Sequence, residues 1–417
     1  MNEKRALLLS LVFPPDAVST AQLFGEIAED LVAKGWKLDV ITTKPHYNVD
    51  VMSRSRQPLF PLWGGLVATS VYHGVRVFHT AMPRKSGNVA ARIFGWLGFH
   101  LLSIAVAFAR IGEIDVVVAP SPPMTIGLVA WLIGVAKRAP FVYNVQELYP
   151  DAAIRLGALR EGKFLEMLRW IERFIYRKAF AVTTIAPGMA QRISERVENP
   201  SKVRIIPNFV DTKYIAARPK DNPFSREFGI TDKFTVLYAG NMGPAQGLET
   251  VLQAAAMTAD DSRIKYLFVG EGISREKLVA EARDRGLSNV LFISQQPYTR
   301  VPDIYGAADL CLVPLAAGFT AEAVPSKVYR IMGAERRILA IAEPGSDLER
   351  VVAEADAGIV VPPLRAEMLA QAVLAALKND GGVTTGKARK YVLDNVDRET
   401  ITSAYSALLT EAAAAGI

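Results

Sequence analysis

Three residues in the last third of the chain, Glu322, Ser326 and Lys327, have the types and spacing of an anion-binding site. They stand in Glu322-Ala-Val-Pro-Ser-Lys327, directly before a run of helix-forming residues. Backbone N–H groups and the positive end of a helix dipole favour a phosphate at such a place, and Lys327 adds a full charge. A surface helix with a solvated charged start is the commoner explanation of an isolated Pro-Ser-Lys. The phosphate interpretation therefore depends on the other motifs of the chain.

Glycine-rich turns follow two strand-like runs in the same half. In Tyr238-Ala-Gly-Asn-Met-Gly-Pro-Ala-Gln-Gly-Leu-Glu249 the glycines at 240, 243 and 247 let backbone N–H groups approach an anion. Val269-Gly-Glu-Gly272 is a second such turn, and in both places a plain tight turn is the alternative. Phe292-Ile-Ser-Gln-Gln-Pro297 ends a further strand in polar residues. We expect backbone groups there to contact the edge of a flat base.

The first half of the chain has three motifs at predicted strand ends. Phe13-Pro-Pro-Asp-Ala-Val-Ser-Thr20 leads into a helix for which Ser19 or Thr20 is the expected N-cap. Ala119-Pro-Ser-Pro-Pro-Met124 is a stiff loop that predicts a cleft wall. Asn144-Val-Gln-Glu-Leu-Tyr-Pro150 places Glu147 at another strand end, where it either enters the same cleft or is a plain surface carboxylate.

Several kinds of chemistry are not favoured. The histidines at 46, 73, 79 and 100 are dispersed and no Asp-X-Asp follows a strand, so we predict no metal site. Cys311 is the one cysteine, which excludes an internal disulfide, and its apolar surroundings predict a buried strand residue. There is neither a Gly-X-Ser-X-Gly elbow nor a Walker lysine loop, which argues against acyl transfer and ATP hydrolysis.

Composition indicates a large globular protein with an anionic partner. The chain has 417 residues, 50% of them hydrophobic and 22% charged, which favours two domains with substantial cores. The formal charge is +6 and the isoelectric point near 9.2. A nucleotide or an anionic lipid fits this charge. Nucleic acid is not favoured, because no basic block and no basic stretch interleaved with aromatics occurs.

Short apolar runs alternate with helical patterns, which predicts parallel sheets with right-handed crossovers. The N-terminus enters the first strand directly and does not resemble a signal peptide. We expect a first domain at 1–211, a polar linker at 216–224, a second domain at 212–394, and a final helix at 395–417 that packs back on the first domain. The predicted strands are 7–13, 38–43, 75–79, 116–119, 141–145, 181–185, 203–206, 235–239, 265–269, 290–293, 310–313, 338–341 and 358–361.

Residues 93–109 are almost wholly apolar and follow Arg84, Lys85 and Arg92. The segment is shorter than the roughly 20 residues that span a bilayer, and His100 interrupts it. Two interpretations remain: a buried helix, or an interfacial amphipathic element rimmed by basic residues. The second predicts peripheral contact with a membrane.

Taken in order, these motifs resemble the retaining glycosyltransferases of family four, in the branch that builds bacterial surface polysaccharides and includes fucosamine and colanic-acid transferases. The resemblance covers nearly the whole chain. It rests on Phe13-Pro-Pro-Asp, Ser121-Pro-Pro, Glu147-Leu-Tyr-Pro, Pro207-Asn-Phe-Val-Asp211, Tyr238-Ala-Gly-Asn-Met-Gly with Gln246-Gly-Leu, Val269-Gly-Glu-Gly, Val313-Pro-Leu, Pro325-Ser-Lys-Val-Tyr and Glu343-Pro-Gly-Ser.

The resemblance implies an α/β chain of the GT-B fold, with two doubly wound Rossmann-like domains facing each other across a cleft. It implies metal-independent transfer from a nucleoside-diphosphate sugar, taken as UDP-linked, to a lipid-linked or saccharide acceptor at the cytoplasmic face of the membrane, without a cofactor. The implied catalytic residues are Glu322, Lys327 and Glu147. The implied donor-side residues are Gly240, Asn241, Met242, Gly243, Gln246, Gly270, Gly272, Gln295, Gln296, Ala323, Val324, Pro325 and Ser326, and the acceptor-side residues are Asp16, Ser19, Thr20, Ser121 and Gln146.

The chain departs from the family pattern at the phosphate clamp. Family members usually place an arginine and a lysine where this chain has Asn241 and Gln246, and a second glutamate where it has Arg330. Two alternatives therefore stay open: a sugar-nucleotide epimerase of the same fold, and a sugar-nucleotide-binding protein without activity.

Overall fold

The computed structural model describes residues 4–46, 55, 57–82, 89–155, 157, 159–319, 324–379 and 386–416, without the side chains of 89–93. The chain divides into two compact units, one formed by Met1–Pro207 with Ile401–Ile417 and the other by Asn208–Thr400. The division lies four residues before the predicted boundary at 211. The prediction of a linker at 216–224 is wrong, because this segment lies within the second unit and is held there by hydrogen bonds. Asn222, for example, caps a helix and donates to the carbonyl of Asp303.

The first unit is built on one nine-stranded sheet in the order β3-β4-β5-β2-β1-β6-β7-β8-β9. All neighbours pair in parallel except β3 with β4 and β4 with β5, which form an antiparallel edge. Strands β3 and β4 are absent from the predicted strands, because they lie outside the alternation of strands and helices. The strands are Arg5–Leu9 (β1), Lys37–Thr43 (β2), Phe60–Leu62 (β3), Val67–Tyr72 (β4), Val75–Thr80 (β5), Val116–Ser121 (β6), Phe141–Val145 (β7), Ala181–Thr184 (β8) and Val203–Ile205 (β9).

Helices cover both faces of this sheet. The connections β5 to β6, β6 to β7 and β7 to β8 run in one direction along the sheet, and right-handed crossovers place their long helices on the same face. The β1 to β2 connection runs the other way, which places its helix on the opposite face. The helices are Ser19–Ala33 (α1), Val89–Arg110 (α2), Ile126–Lys137 (α3), Asp151–Arg155 (α4), Lys163–Lys178 (α5) and Pro187–Ser194 (α6).

The second unit has a six-stranded sheet in the order β12-β11-β10-β13-β14-β15, and all its neighbours are parallel. Its strands are Phe234–Ala239 (β10), Ile264–Val269 (β11), Val290–Ile293 (β12), Leu310–Pro314 (β13), Arg337–Ile341 (β14) and Gly358–Val361 (β15). Its helices are Pro223–Glu227 (α7), Glu249–Met257 (α8), Arg275–Asp284 (α9), Val301–Gly306 (α10), Lys327–Gly333 (α11), Asp347–Glu354 (α12), Ala366–Lys378 (α13) and Lys387–Asn395 (α14). The predicted pair of doubly wound parallel-sheet units is thereby confirmed.

The last helix, Arg398–Ala415 (α15), begins in the second unit and belongs to the first unit from Ile401 onward. Hydrogen bonds hold it there: the Trp36 indole donates to Ser406 Oγ over 3.1 Å, Asn144 Nδ2 donates to the Tyr405 hydroxyl over 3.0 Å, and Lys4 Nζ donates to Thr410 Oγ1 over 2.9 Å. Leu409 and Ala412 are fully buried. The C-terminal helix is therefore part of the core of the first unit.

Boundaries of several predicted strands differ from the structure. The first strand ends at Leu9 and not at Phe13. Beyond its end, the Ser10 hydroxyl donates to the carbonyl of Val12, and Phe13 packs beside Tyr72. The apolar run 93–109 lies within helix α2. No helix within the described ranges is long and apolar enough to cross a membrane.

A buried arginine ties the start of the second unit to its sheet. The Arg336 guanidinium donates to the carbonyls of Tyr305, Gly306 and Arg218, and the residue is 8% exposed. Arg336→Met would leave three buried carbonyl groups without a charged donor, so we expect the free energy of unfolding of this unit to fall by about 3 kcal/mol. Urea titration followed by circular dichroism measures this change.

The matched control is Arg337→Met, which removes the same charge one residue further along. The Arg337 side chain has no hydrogen bond to any residue within the described ranges. We expect the control to change stability by no more than about 0.5 kcal/mol. Equal losses in the two variants would contradict the role assigned to Arg336.

Candidate functional site

The chain order of the second sheet reverses between β10 and β13. From β10 the chain moves outward to β11 and β12, and it then returns to the other side of β10 to form β13. Loops at such a switch point diverge and leave a crevice at the carboxyl ends of the strands, which is where ligands of open α/β sheets bind. Gly240 follows β10 directly, and helix α11 follows β13 after one loop. The two motifs that the sequence singled out therefore meet at one place.

Lys327 is the first residue of α11, and its ammonium group reaches the β10 loop. The Nζ atom lies 4.0 Å from the centre of the Tyr238 ring, a cation–π contact. It would lie 2.8 Å from a Cβ atom at Gly240, whose φ is +146°. A side chain at position 240 would displace the ammonium group, so glycine is needed there for space and for backbone conformation.

The surroundings of Lys327 weaken its proton affinity. Burial of the ammonium group is the main cause and repulsion from Arg330 adds to it, and together they lower the pKa to about 7. The side chain as a whole is half-buried, and this remaining exposure limits the effect. A phosphate beside Nζ would offset this shift, because its negative charge favours the charged form of the ammonium group.

The glycine turns pack against each other. A Cβ at Gly270 would lie 2.1 Å from the carbonyl oxygen of Gly240, and one at Gly272 would lie 2.3 Å from that of Met242. The backbone N–H of Met242 donates to the backbone carbonyl of Glu271 over 2.8 Å. These glycines therefore allow close contact between the two loops.

Three residues of the first glycine loop have defined positions. The Met242 side chain is fully buried in the core, so only its backbone faces the loop. Gln246 Oε1 accepts from the backbone N–H of Gly243 over 2.9 Å, which holds the turn. Asn241 is exposed, and its carbonyl accepts from the Tyr238 hydroxyl. Gln246 and Tyr238 thus shape the loop around Lys327.

The remaining residues predicted for the donor side lie on other loops of the second unit. Gln296 accepts from Arg300 Nη1 over 2.8 Å and donates to the carbonyl of Ser294, while Gln295 is exposed at the end of β12. Val324 is buried; Pro325 and Ser326 are half-buried directly before α11. Glu322 and Ala323 lie outside the described residues. Helix α11 has seven residues, and Ser326 makes no capping hydrogen bond at its start.

The first sheet has its own switch point, between β1 and β6. Asp16 lies beside it, 3% exposed, and accepts from the backbone N–H of His46 over 2.9 Å. Its Oδ2 is 4.0 Å from His46 Nδ1. In the sequence, His46 is one of four dispersed histidines without ligand spacing. The signal that could have identified it is its place three residues after β2, at the same sheet edge as Asp16.

Two predictions on the acceptor side need correction. Helix α1 begins at Ser19, but its N-cap is Val18, which is extended and contributes no side-chain hydrogen bond, so neither Ser19 nor Thr20 is the cap. Ser121 is the last residue of β6 and is 2% exposed. Ser121 is therefore buried at the carboxyl end of its strand and does not line an open cleft.

The loop after β7 is held by hydrogen bonds that connect it to β7, β8 and α15. Gln146 donates to Asn144 Oδ1 over 2.8 Å, and Asn144 in turn donates to Thr183 and Tyr405. Glu147 is exposed at the tip. Its pKa is raised because nearby protein atoms desolvate the carboxyl group, an effect that Arg155 opposes and that solvent exposure limits.

A buried ion network fixes the other end of this loop. Arg196 donates to Asp151, at the start of α4, and to Glu172 on α5 over 3.0 Å. Glu172 is 2% exposed and also accepts from the Tyr176 hydroxyl. Burial raises the pKa of Glu172, and Arg196 and Tyr176 oppose this shift. No local sequence pattern predicts this network, because its members are 21 and 24 residues apart in the chain.

Within the described ranges, no three His, Cys, Asp or Glu side chains are close enough together to hold a metal ion. Cys311 is buried in β13, which raises the pKa of its thiol to about 12. A thiol with this pKa is protonated near neutral pH and is a poor nucleophile.

Comparisons with known proteins agree with this architecture. A glycosyl transferase 4-like domain model matches residues 20–208, and a glycosyl transferases group 1 model matches residues 221–395. The probable glycosyltransferase WbjE of Pseudomonas aeruginosa is 25% identical over 85% of this chain and 90% of its own length. The putative colanic acid biosynthesis glycosyl transferase WcaI of Escherichia coli is 25% identical over 95% of this chain and 97% of its own length.

Among solved structures, Anabaena Alr3699/HepE in complex with UDP-glucose has a TM-score of 0.74 with 14% identity, covering 98% of this chain and 99% of that one. This likeness concerns the fold. The two family models follow each other along the chain in the same order as the two sheets. The chain therefore belongs to the glycosyltransferases of the GT-B fold, as a glycosyl transferase 4-like domain followed by a group 1 domain.

Proposed function

We propose that this protein transfers a sugar from a UDP-sugar, with retention of anomeric configuration and without a metal ion, to a lipid-linked or saccharide acceptor in cell-surface polysaccharide synthesis. The observation that carries the proposal is the Lys327 ammonium group, held against Tyr238 and Gly240 at the switch point of the second sheet.

The donor diphosphate occupies the space beside Lys327 and the β10 loop. A diphosphate needs cations and N–H donors, and Lys327 supplies the charge where Asn241 and Gln246 do not. Arg330 stands one turn further along α11 and close enough to influence the Lys327 pKa, so it adds positive potential at the same place. Gly240 lets the backbone approach the ligand closely.

Transfer breaks the bond between the sugar anomeric carbon and the β-phosphate oxygen. Negative charge builds on that oxygen, and a cation already in position stabilises it; one such group is worth about 3 kcal/mol. The acceptor hydroxyl forms the new bond to the anomeric carbon, and its proton passes to the departing phosphate on the same face. Glu322 would face the donor sugar, and this role stays a prediction.

The acceptor binds to the first unit. Asp16, Glu147 and Gln146 lie on loops at the carboxyl edge of its sheet. The exposed Glu147 carboxylate is suited to orient an acceptor hydroxyl, and the Asp16–His46 pair is a further polar group at this edge. We place the reaction at the cytoplasmic face of the membrane, where a lipid-linked acceptor would be presented.

Two comparisons support the choice of substrates. HepE was solved with UDP-glucose, and the name of WcaI refers to colanic acid biosynthesis, which is synthesis of a polysaccharide. UDP-sugars and a saccharide-bearing lipid are therefore the first substrates to test.

The proposal predicts transfer from at least one member of a UDP-sugar panel to a polyprenyl-diphosphate-linked saccharide, with activity retained in EDTA. Product is measured by mass spectrometry, and its anomeric configuration by NMR. Isomerised donor without transfer would instead identify an epimerase, and donor binding without turnover would identify an inactive binding protein. An inverted product, or activity lost in EDTA, would contradict the corresponding part of the proposal.

The Lys327 pKa predicts a pH-dependent affinity for the donor. Lys327 is charged below its pKa of about 7 and loses its proton as pH rises through that value. The diphosphate stays ionised throughout, so UDP-sugar affinity should be constant near pH 6 and fall by up to about tenfold per unit at higher pH. Calorimetry at about pH 8 in buffers of different ionisation heat should show close to one proton taken up per donor bound.

Lys327→Met should reduce affinity about tenfold or more near pH 6 and abolish the proton uptake. The control is Lys277→Met, which removes an exposed lysine of the same unit that pairs with Glu249. It should change neither quantity. Affinity independent of pH in the unmodified protein would count against diphosphate binding at Lys327.

Gly240→Ala tests the space that Lys327 needs. The added Cβ would overlap Nζ, so we expect at least a tenfold loss of UDP-sugar affinity. The control is Gly229→Ala, whose φ is also positive, at +62°, but which has open space around its Cβ position. Both variants should lose roughly 1 kcal/mol of stability, and only the first should lose affinity. Equal affinity of both variants would show that Gly240 is required for its backbone conformation alone.

A further inference from the structure

One outer surface of the first unit exposes large apolar side chains on three helices. Helix α2 exposes Phe94, Leu97, Leu101 and Phe108, which are 71%, 52%, 61% and 52% accessible and recur at helical spacing. Its opposite side, with Phe99 and Val106, is fully buried. The segment 93–109 is therefore neither wholly buried nor wholly exposed: one stripe packs on the sheet and the other faces solvent.

The neighbouring helices continue this stripe. Helix α3 contacts both α2 and α5, and the three lie on one face of the sheet. We define the apolar surface of the first unit by its nine exposed large side chains, all 42% accessible or more. They are Phe94, Leu97, Leu101, Phe108, Leu132, Val135, Phe164, Met167 and Trp170. Soluble proteins rarely leave so many large apolar groups together without a partner.

The same three helices hold the net charge of the protein. They contain eight lysines and arginines but only two acidic residues, Glu166 and Glu172, which gives a formal charge of +6. The whole chain has 48 basic and 42 acidic residues, also +6, so the rest of the chain contains forty of each. Glu172 is buried against Arg196. The three helices therefore carry a formal charge as large as that of the whole chain.

The cations lie among the apolar groups of α5. Lys163, Arg173, Arg177 and Lys178 are exposed on the same side of the helix as Trp170. Arg177 lies 5.8 Å from the ring centre of Phe174, on which Trp170 stacks. Lys137 on α3 similarly lies 5.9 Å from the Phe108 ring. Long basic side chains beside half-embedded aromatic rings suit the region where lipid headgroups meet acyl chains.

We propose that the apolar surface of the first unit docks on an anionic lipid bilayer. A protein partner would need a complementary acidic surface; a second copy of this chain would bring +6 against +6 and be repelled. An anionic bilayer supplies negative headgroups and an apolar interior within the same few ångströms. No helix of the described chain need span the membrane for this contact.

This docking gives the proposed function a site of action, because a lipid-linked acceptor is confined to the membrane surface. The biological role of the docking rests on the proposed function, whereas the docking itself does not. Vesicle binding is measured without donor or acceptor, so its failure and the failure of glycosyl transfer are separate results.

Flotation with phosphatidylcholine vesicles, with and without about one third phosphatidylglycerol, tests the proposal. We expect binding to the anionic vesicles at least tenfold tighter than to the neutral ones, and weakened by salt. The triple variant Phe164→Ser, Met167→Ser, Trp170→Ser should lose at least tenfold of this affinity. The variant Arg173→Gln, Arg177→Gln, Lys178→Gln should bind anionic vesicles more weakly than the unmodified protein does. Its binding to neutral vesicles should be unchanged.

The matched control replaces three exposed apolar residues of the second unit: Met257→Ser, Ile273→Ser and Leu364→Ser, whose side chains are 52%, 87% and 76% accessible. It should bind as the unmodified protein does. Thermal melting and UDP affinity check that every variant is folded. Equal binding to neutral and anionic vesicles, equal losses in both serine variants, or a dimer in gel filtration that the first triple variant dissociates would each overturn the proposal.

Discussion

The candidate donor site depends on one constraint: an ammonium group must be held where it is partly desolvated, ready for an anion. Lys327 meets it by contact with the face of Tyr238 and by reaching into space that only a glycine at 240 leaves. A desolvated cation gains more from a phosphate than a hydrated one does, because less water has to be removed on binding. Its lowered pKa and its suitability for phosphate therefore have one cause.

The surrounding loops keep that space open through backbone contacts. Gly270 and Gly272 allow the β11 loop to lie directly on the β10 loop, and the Gln246 side chain closes the turn that begins at Gly243. The Tyr238 ring contacts Lys327 while its hydroxyl binds the carbonyl of Asn241. Asn241 and Gln246 carry no charge, so the positive charge beside this loop comes from Lys327 on α11.

The first unit uses its long helices for two purposes. Their inner sides complete the core, and Glu172 on α5 joins Arg196 and Asp151 to hold the loop that carries Glu147. Their outer sides carry the exposed apolar groups together with the exposed basic residues Lys163, Arg173, Arg177 and Lys178. Helix α5 therefore connects the charged outer surface to the acceptor-side loop through one buried ion network.

The sequence by itself determined the alternation of strands and helices, the family, and the motifs at Gly240 and Lys327, because apolar periodicity and glycine spacing are local properties of the chain. It did not reveal the edge strands β3 and β4, the burial of Ser121, the pairing of Asp16 with His46, or the contact of Lys327 with Tyr238. Those depend on which distant segments become neighbours, and only the tertiary structure decides that. The clustering of charge on α2, α3 and α5 became visible for the same reason: 74 residues separate Val89 from Lys163, and the fold brings their helices onto one face.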